Sequence, residues 1–270
     1  MNLSDFYKDK VVLITGGSMG IGKEITRQIL QFGGKVVITG RNPERLQSVL
    51  IEFQGNKNNL LIHNGNVADH DDNIQLVEKV ILHFGKLDVL INNAGMSAYG
   101  ELEKYDYKVI NEIIDSNVKG ALFPTLAAIP ELKKTKGTVI FISSIAGFRG
   151  LPNYSLYSLS KMALTSLVQS LRIEMKANNV FVGIAYVGFT KNEAEKRILS
   201  AEGIPEKVPA RNKMATASRT ETAKKILNQI ATKKPTVIHS ALGKLTFLLS
   251  KYFPFILNKI FVANYKKEIS

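Results

Sequence analysis

The sequence predicts an α/β fold with a doubly wound parallel sheet covered on both faces by helices, in three layers. Two observations carry that expectation. Short β-branched runs alternate with amphipathic helical patterns from residue 10 to residue 240, and no linker interrupts them. A glycine-rich turn, Thr15-Gly16-Gly17-Ser18-Met19-Gly20-Ile21-Gly22, joins the first run directly to the first helical pattern. Residues 1–240 therefore read as a single domain, and 241–270 as an apolar, basic helical extension.

Val11-Val12-Leu13-Ile14 reads as a buried strand. After the glycine turn, Ile21, Ile25, Ile29 and Leu30 mark a helix that Gly33-Gly34 closes. Strand, glycine turn and helix form the Rossmann-type context a dinucleotide site requires. Glycines let the backbone approach a pyrophosphate, and the helix N-terminus offers it free N–H groups and positive dipole. Lys35 to Thr39 is the second strand. No acid follows it to accept from ribose hydroxyls; the chain reads Thr39-Gly40-Arg41-Asn42. An arginine there suits a 2′-phosphate, so the expected cofactor is NADP(H).

Further on, the pattern predicts a helix over 42–53, a strand over 60–67, a helix over 71–84 and a strand over 87–91. A long helix spans 105–134, with interruption expected at Pro124 and Pro130. A strand over 137–142 and a helix over 154–176 come next. The last alternation is a strand over 181–187, a polar aperiodic loop over 189–218, a helix over 219–232 and a short strand over 236–239. Tyr157 and Lys161 lie four residues apart on the 154–176 helix and share one face. A free phenol has a pKa of about 10. A neighbouring ammonium lowers it and makes the phenol a usable acid–base group.

Composition narrows the classes. The chain has 270 residues, with 45% hydrophobic and 22% charged, as soluble globular proteins have. The absence of cysteine excludes disulfides and thiolate metal sites. The four histidines are scattered without ligand spacing, so no metal site is expected. The net charge of +13 asks for an anionic partner, but the basic residues form no arm, finger or RNP motif, so nucleic acid is not expected. The N-terminus lacks the apolar core of a signal peptide, and no window of about 18 uncharged apolar residues exists. The expectation is a cytoplasmic protein.

The spacing Gly-x-x-x-Gly-x-Gly over Thr15 to Gly22 resembles the cofactor signature of the short-chain dehydrogenase/reductase family. Asn92-Asn93-Ala94-Gly95, Asn117, Ser144 and Tyr157/Lys161 follow in the family's order, so the resemblance covers roughly residues 8 to 240. It implies a catalytic set of Asn117, Ser144, Tyr157 and Lys161. Tyr157 would be the proton donor to a carbonyl, Ser144 a second donor, and Asn117 the support of a water that resupplies the proton. Ser144 is preferred to Ser143 because it lies thirteen residues before Tyr157. The implied cofactor residues are Gly16, Ser18, Met19, Gly20, Ile21, Gly22, Arg41, Asn66, Val67, Asn93, Ala94, Gly95, Tyr157, Lys161, Val187, Gly188 and Thr190. The chain departs from the family in carrying Asn66 for an aspartate, Val187-Gly188 for Pro-Gly, and Asn192 for a threonine.

The implied reaction is NADPH-dependent reduction of a ketone to a secondary alcohol. The alternatives are a non-catalytic NADP-binding scaffold and an epimerase or dehydratase. An intact catalytic set argues against the first, and the lack of a sizeable substrate domain against the second. The family commonly forms dimers or tetramers, so a homodimer or homotetramer is expected. The last thirty residues are strongly apolar, with Lys244, Lys251 and Asn258 recurring as one narrow stripe, Pro254 breaking the segment and Lys266-Lys267 closing it. They read as a peripheral membrane contact through 241–267 or a wall of the substrate site. They read equally as an extension packed on the core or on a second subunit. The tail loosely resembles the extensions of family members acting on lipid ketones, the ketosphinganine and acyl-dihydroxyacetone-phosphate reductases. That likeness implies a lipophilic carbonyl substrate.

Overall fold

The computed structural model describes residues 2–191, 193, 196–208 and 216–269. Helix α1 (Leu3–Tyr7) precedes β1 (Val11–Thr15), α2 (Gly20–Gln31), β2 (Lys35–Gly40), α3 (Pro43–Glu52), β3 (Leu60–Asn64) and α4 (His70–Phe84). The middle of the chain holds β4 (Val89–Asn92), β5 (Ala98–Tyr99), α5 (Tyr107–Ile114), a π turn over Asp115–Lys119, α6 (Gly120–Thr135) and β6 (Thr138–Ser144). There follow α7 (Ser155–Glu174), β7 (Phe181–Val187), β8 (Arg197–Ser200), β9 (Pro205–Lys207), α8 (Arg219–Ala231), β10 (Thr236–Ile238), α9 (Ala241–Tyr252) and α10 (Pro254–Ile269).

Seven strands form one parallel sheet in the order β10-β7-β6-β4-β1-β2-β3. The chain grows the sheet outward from β1 in one direction through β2 and β3, then returns to add β4 on the other side. That reversal opens a crevice beyond the carboxyl ends of β1 and β4. Strands buried on both faces explain the unbroken apolar runs: all five residues of β1 are buried. Val12, Ile14, Val36 and Ile38 pack with Ile25, Ile29, Leu46 and Ile226 from α2, α3 and α8 on one face. Leu13, Leu90, Phe141 and Ile184 pack with Leu76, Leu132, Leu164 and Val168 from α4, α6 and α7 on the other. The sheet and its two helical layers are the three-layer architecture expected.

Local chemistry sets the helix ends. Asn42 accepts from the Arg45 N–H at 2.6 Å, with Pro43 in the first turn of α3. Asp69 accepts from the Asp72 N–H at 2.9 Å, and Gly85, at φ +77°, closes α4 in the left-handed conformation.

Four details differ from the sequence reading. The third strand stops at Asn64 rather than Val67, because the Asp72 carboxylate takes the Asn66 N–H that a ladder would need. The helix over 105–134 is interrupted at the π turn, not at its prolines; α6 runs through Pro124 and Pro130, held down by buried Ala128 and Leu132. The segment 189–218 is not all loop: β8 and β9 pair antiparallel, and β8 also pairs with β5. Leu199 and Ala201 bury against Ala98, Val109, Ile113 and Leu156, a core too short in sequence to show periodicity. Finally, α9 and α10 meet at 120°, which takes Asn258 off the lysine stripe and onto Arg149.

One buried polar link ties the sheet to its helical layer. Asn92 donates through Nδ2 to Thr125 Oγ1 at 2.7 Å, and Thr125 donates to the Ala121 carbonyl at 2.7 Å. Asn92 Oδ1 has no partner, so Thr125 is what compensates for burying that amide. Thr125→Val keeps the shape and removes the acceptor. It should lower stability by about 1–3 kcal/mol, read as a fall in the urea midpoint with an unchanged slope.

Candidate active site

The crevice is built first by close backbone contact. Gly16 has φ +64°, and a Cβ there would lie 2.9 Å from the Ala94 Cα; one on Gly22 would lie 2.4 Å from the Gly16 carbonyl oxygen. Thr15 Oγ1 accepts from the N–H groups of Asn93 and Ala94, both at 3.0 Å. Asn93 Nδ2 returns two bonds to the carbonyls of Thr15 and Gly16, also at 3.0 Å. The Asn-Asn-Ala-Gly segment is thus clamped onto the glycine turn. Gly20, at φ +59°, is different: a Cβ there would meet nothing within 4 Å. The open side of the turn faces the start of α2, where Met19 gives no side-chain cap. Uncapped N–H groups, positive dipole and a cradle without Cβ atoms fit a diphosphate.

At one end of this cradle, Ser18 lies beside Gly40, and beyond it opens a cleft of about 360 Å³. Arg41, Asn66 and Val67 line it from the sheet side; Lys108, Glu112 and Asp115 line it from the helical side. Arg41 is 57% exposed, with Nη1 3.9 Å from Glu112 Oε1 and Nη2 3.3 Å from Met96 Sδ. That loose pairing leaves the guanidinium able to take a phosphate. Asn66 folds Oδ1 back onto the Ala68 N–H at 3.1 Å, so its acceptor oxygen is engaged locally. Arg45 reaches Met19 Sδ at 3.5 Å, a second cation at this end that the sequence reading passed over.

At the other end, Gly95, Asn117 and Lys161 converge: a Cβ on Gly95 would lie 3.0 Å from Asn117 Oδ1 and 3.2 Å from Lys161 Nζ. Asn117 is fully buried on the π turn, a local irregularity that recurs at functional sites. Its carboxamide is spent. Oδ1 accepts from the Met96 N–H at 2.7 Å, and Nδ2 donates to the Met96 carbonyl at 2.9 Å and to Ser160 Oγ at 2.8 Å. Ser160 in turn donates to the Tyr157 carbonyl at 2.8 Å. Ser160 therefore joins Asn117 to the helix that carries Tyr157. Nothing in the sequence marks it, since serine is common on helix faces.

Lys161 is 6% exposed and donates to the Ile142 carbonyl at 3.1 Å. Its Nζ lies 5.9 Å from the centre of the Tyr157 ring. Burial, with a smaller contribution from Lys196, lowers its pKa from 10.5 to about 8. Ser143 is 3% exposed and donates to the Lys161 carbonyl at 3.3 Å, a structural bond between β6 and α7. Ser144, the last residue of β6, is only half-buried and pairs across the sheet with Val187. Gly188 follows, pressed so close that a Cβ would lie 2.5 Å from Ser240 Oγ. Thr190 bridges to Ala217 and lies 3.3 Å from Thr222 Oγ1. Asn192 lies outside the described residues.

A crevice at the strand reversal, a glycine cradle and a tyrosine–lysine helix define a dehydrogenase of the doubly wound class. The family model described as short chain dehydrogenase matches residues 10–203, and the chain belongs to that family of oxidoreductases acting on CH–OH and C=O groups. It is 33% identical over 258 residues to the 11-beta-hydroxysteroid dehydrogenase-like 4A of Arabidopsis thaliana, covering 94% of this chain and 84% of that protein. Among solved structures, a short-chain dehydrogenase from Streptomyces avermitilis superposes with a TM-score of 0.79 at 21% identity, covering 96% of each chain. ElxO with NADP bound superposes with a TM-score of 0.73 at 24% identity, covering 87% of this chain and 99% of that one.

The lowered pKa of Lys161 has a thermodynamic consequence. Between about 8 and 10.5 the unfolded chain holds a proton that the folded chain does not, so this group makes stability rise with pH across that window. The unfolding free energy of the wild type minus that of Lys161→Met should move in favour of the wild type as pH climbs from about 7 to 10. A flat difference would mean the amine is not held below its ordinary range.

Proposed function

We propose that the protein uses NADPH to reduce a lipophilic ketone to a secondary alcohol. The observation that carries this reading is the buried Lys161 beside the Tyr157 ring, at the end of a cradle shaped for a dinucleotide. The cofactor, when bound, supplies the hydride. Gly16, Gly20, Ile21 and Gly22 would hold its diphosphate, and Arg41 its 2′-phosphate. Ser18 and Met19 would flank it, and Asn66, Val67, Asn93, Ala94 and Gly95 would line its path. Val187, Gly188 and Thr190 would bound the reacting end.

Tyr157 and Ser144 donate hydrogen bonds to the carbonyl oxygen and stabilise charge as it develops there. Tyr157 gives up its proton to that oxygen. Lys161, about 8 in pKa and mostly protonated at pH 7, favours the resulting phenolate. Asn117 holds Met96 and Ser160 in place through its side chain, and so fixes Gly95 beside Lys161. A π turn leaves a backbone carbonyl without its α-helical partner, and a water there can return the proton.

Two features support a lipophilic substrate and the wider assembly. Apolar Leu245, Leu248, Phe255 and Ile260 on α9 and α10, and Phe253 at the bend between them, are exposed, and no acidic residue occurs from 241 to 267. That composition supports peripheral contact with an anionic membrane, although no single helix among the described residues is long and apolar enough to cross one. Leu122, Leu126, Leu159 and Met162 are exposed on α6 and α7, which supports a homodimer through those helices. The name of the Arabidopsis relative is consistent with a bulky apolar carbonyl.

Tyr157→Phe should cut NADPH oxidation by about a hundredfold or more and leave NADPH affinity nearly unchanged; retained activity would remove Tyr157 from the proton-donor role. Arg41→Asp should shift preference towards NADH. Among ketones of increasing chain length, kcat/KM should rise with length. Binding to phosphatidylcholine vesicles should appear on adding phosphatidylserine and weaken in Phe255→Glu; no binding would leave the tail a packing element.

A further inference from the structure

The uncapped N-terminus of α2 already holds an anion. Glu193, from the segment that follows β7, accepts from the Gly20 N–H through Oε1 at 3.0 Å. Arg219 Nη1 lies 2.5 Å from the same oxygen. The two side chains form a close ion pair. Arg219 is the first residue of α8, which lies along α2; Gln28 Nε2 on α2 donates to the Thr220 carbonyl at 3.0 Å. Ser218 caps α8 through the Glu221 N–H at 3.0 Å. Arg219 thus sits on a fixed element and not on a loop.

Charge explains the arrangement. α2 has no acidic residue in its first turn, and a guanidinium stands at the start of α8. The N-terminus of α2 and the Arg219 guanidinium meet at one point, so an anion there is favoured. Glu193 supplies one.

We propose that Glu193 is a built-in stand-in for a cofactor phosphate, and that Arg219 is a pyrophosphate-binding residue which Glu193 holds until the cofactor arrives. This rests on the reading that a dinucleotide diphosphate binds at the start of α2. Binding exchanges one anion for another on the Gly20 N–H and Arg219, and expels Glu193. A carboxylate cannot stay beside a diphosphate that takes the same donors. The plug lowers apparent cofactor affinity by the fraction of time it is withdrawn.

Direct binding of NADPH to the full chain, followed by nucleotide fluorescence or calorimetry, tests this. Glu193→Gln keeps the size and removes the charge. It should tighten NADPH about tenfold, the factor a plug seated nine-tenths of the time imposes. Arg219→Met, made in the Glu193→Gln background, should weaken NADPH by about tenfold, the loss of one charge-assisted contact. Adenosine 2′-monophosphate carries no pyrophosphate, so its affinity should be the same in all these variants. If Glu193→Gln leaves NADPH affinity unchanged or weakens it, the plug is refuted. If Arg219→Met is neutral in that background, its phosphate role is refuted. A shift of adenosine 2′-monophosphate equal to that of NADPH would mean a general structural effect and would overturn the proposal. Wild-type protein that binds neither NADPH nor NADH would instead refute the cofactor reading itself.

Discussion

The structure depends on one close approach: the backbone of Gly16 against the backbone of Ala94, where β1 and β4 end. No side chain fits between them, since a Cβ on Gly16 would lie 2.9 Å from the Ala94 Cα. Apposed polar backbones in a buried crevice need partners, and Thr15 and Asn93 supply them reciprocally with four bonds of 3.0 Å. The same clamp fixes Gly95, next in the chain, against Asn117 and Lys161. The cradle and the Asn117–Lys161 cluster are therefore parts of one joint at the sheet's reversal, and their separation is set by the strand positions.

Electrostatics follows from that joint. The cradle gathers helix dipole and basic side chains to receive phosphates, in a chain of net charge +13. An exposed lysine beside it would be drawn to any nearby anion. Lys161 is instead buried under β6, tied to the Ile142 carbonyl, and lowered to about 8. Desolvation fixes its place and moderates its charge at once.

Much of this was readable in the sequence. The β-branched runs of β1, β2 and β6 and the turn at Gly16 to Gly22 named the fold, because parallel strands buried on both faces leave unbroken apolar runs. The resemblance implies Asn117, Ser144, Tyr157 and Lys161 as a catalytic set, and the structure brings Asn117 and Lys161 together at Gly95. What could not be read rests on contacts between distant segments. Ser160 bonding to Asn117, Arg219 paired with Glu193, and Arg45 at Met19 involve residue types ordinary on any helix or loop. The π turn was hidden because its residues, Asp115 to Lys119, keep a helical pattern. The β8–β9 hairpin was hidden because its core, Ile198 to Ala201, is shorter than one period of evidence.

The tail gains meaning from where it is held. Tyr265 donates to Glu101 Oε1 at 2.7 Å, Asn258 accepts from Arg149, and the Arg149 guanidinium lies 5.3 Å from the centre of the Phe261 ring. Glu101 and Arg149 belong to loops that leave the crevice after β4 and β6. Those loops are themselves joined, the Gly100 N–H to the Asn153 carbonyl at 2.8 Å and Asn153 Nδ2 to the Tyr99 hydroxyl at 3.2 Å. α9 is seated separately, with Phe247 edge-on to Phe148 and Gly243 against Ile238. Most of the apolar side chains of α9 and α10 are nevertheless left outside. The bend at Phe253 and Pro254 presents an apolar surface on a fixed element beside the loops that leave the crevice after β4 and β6.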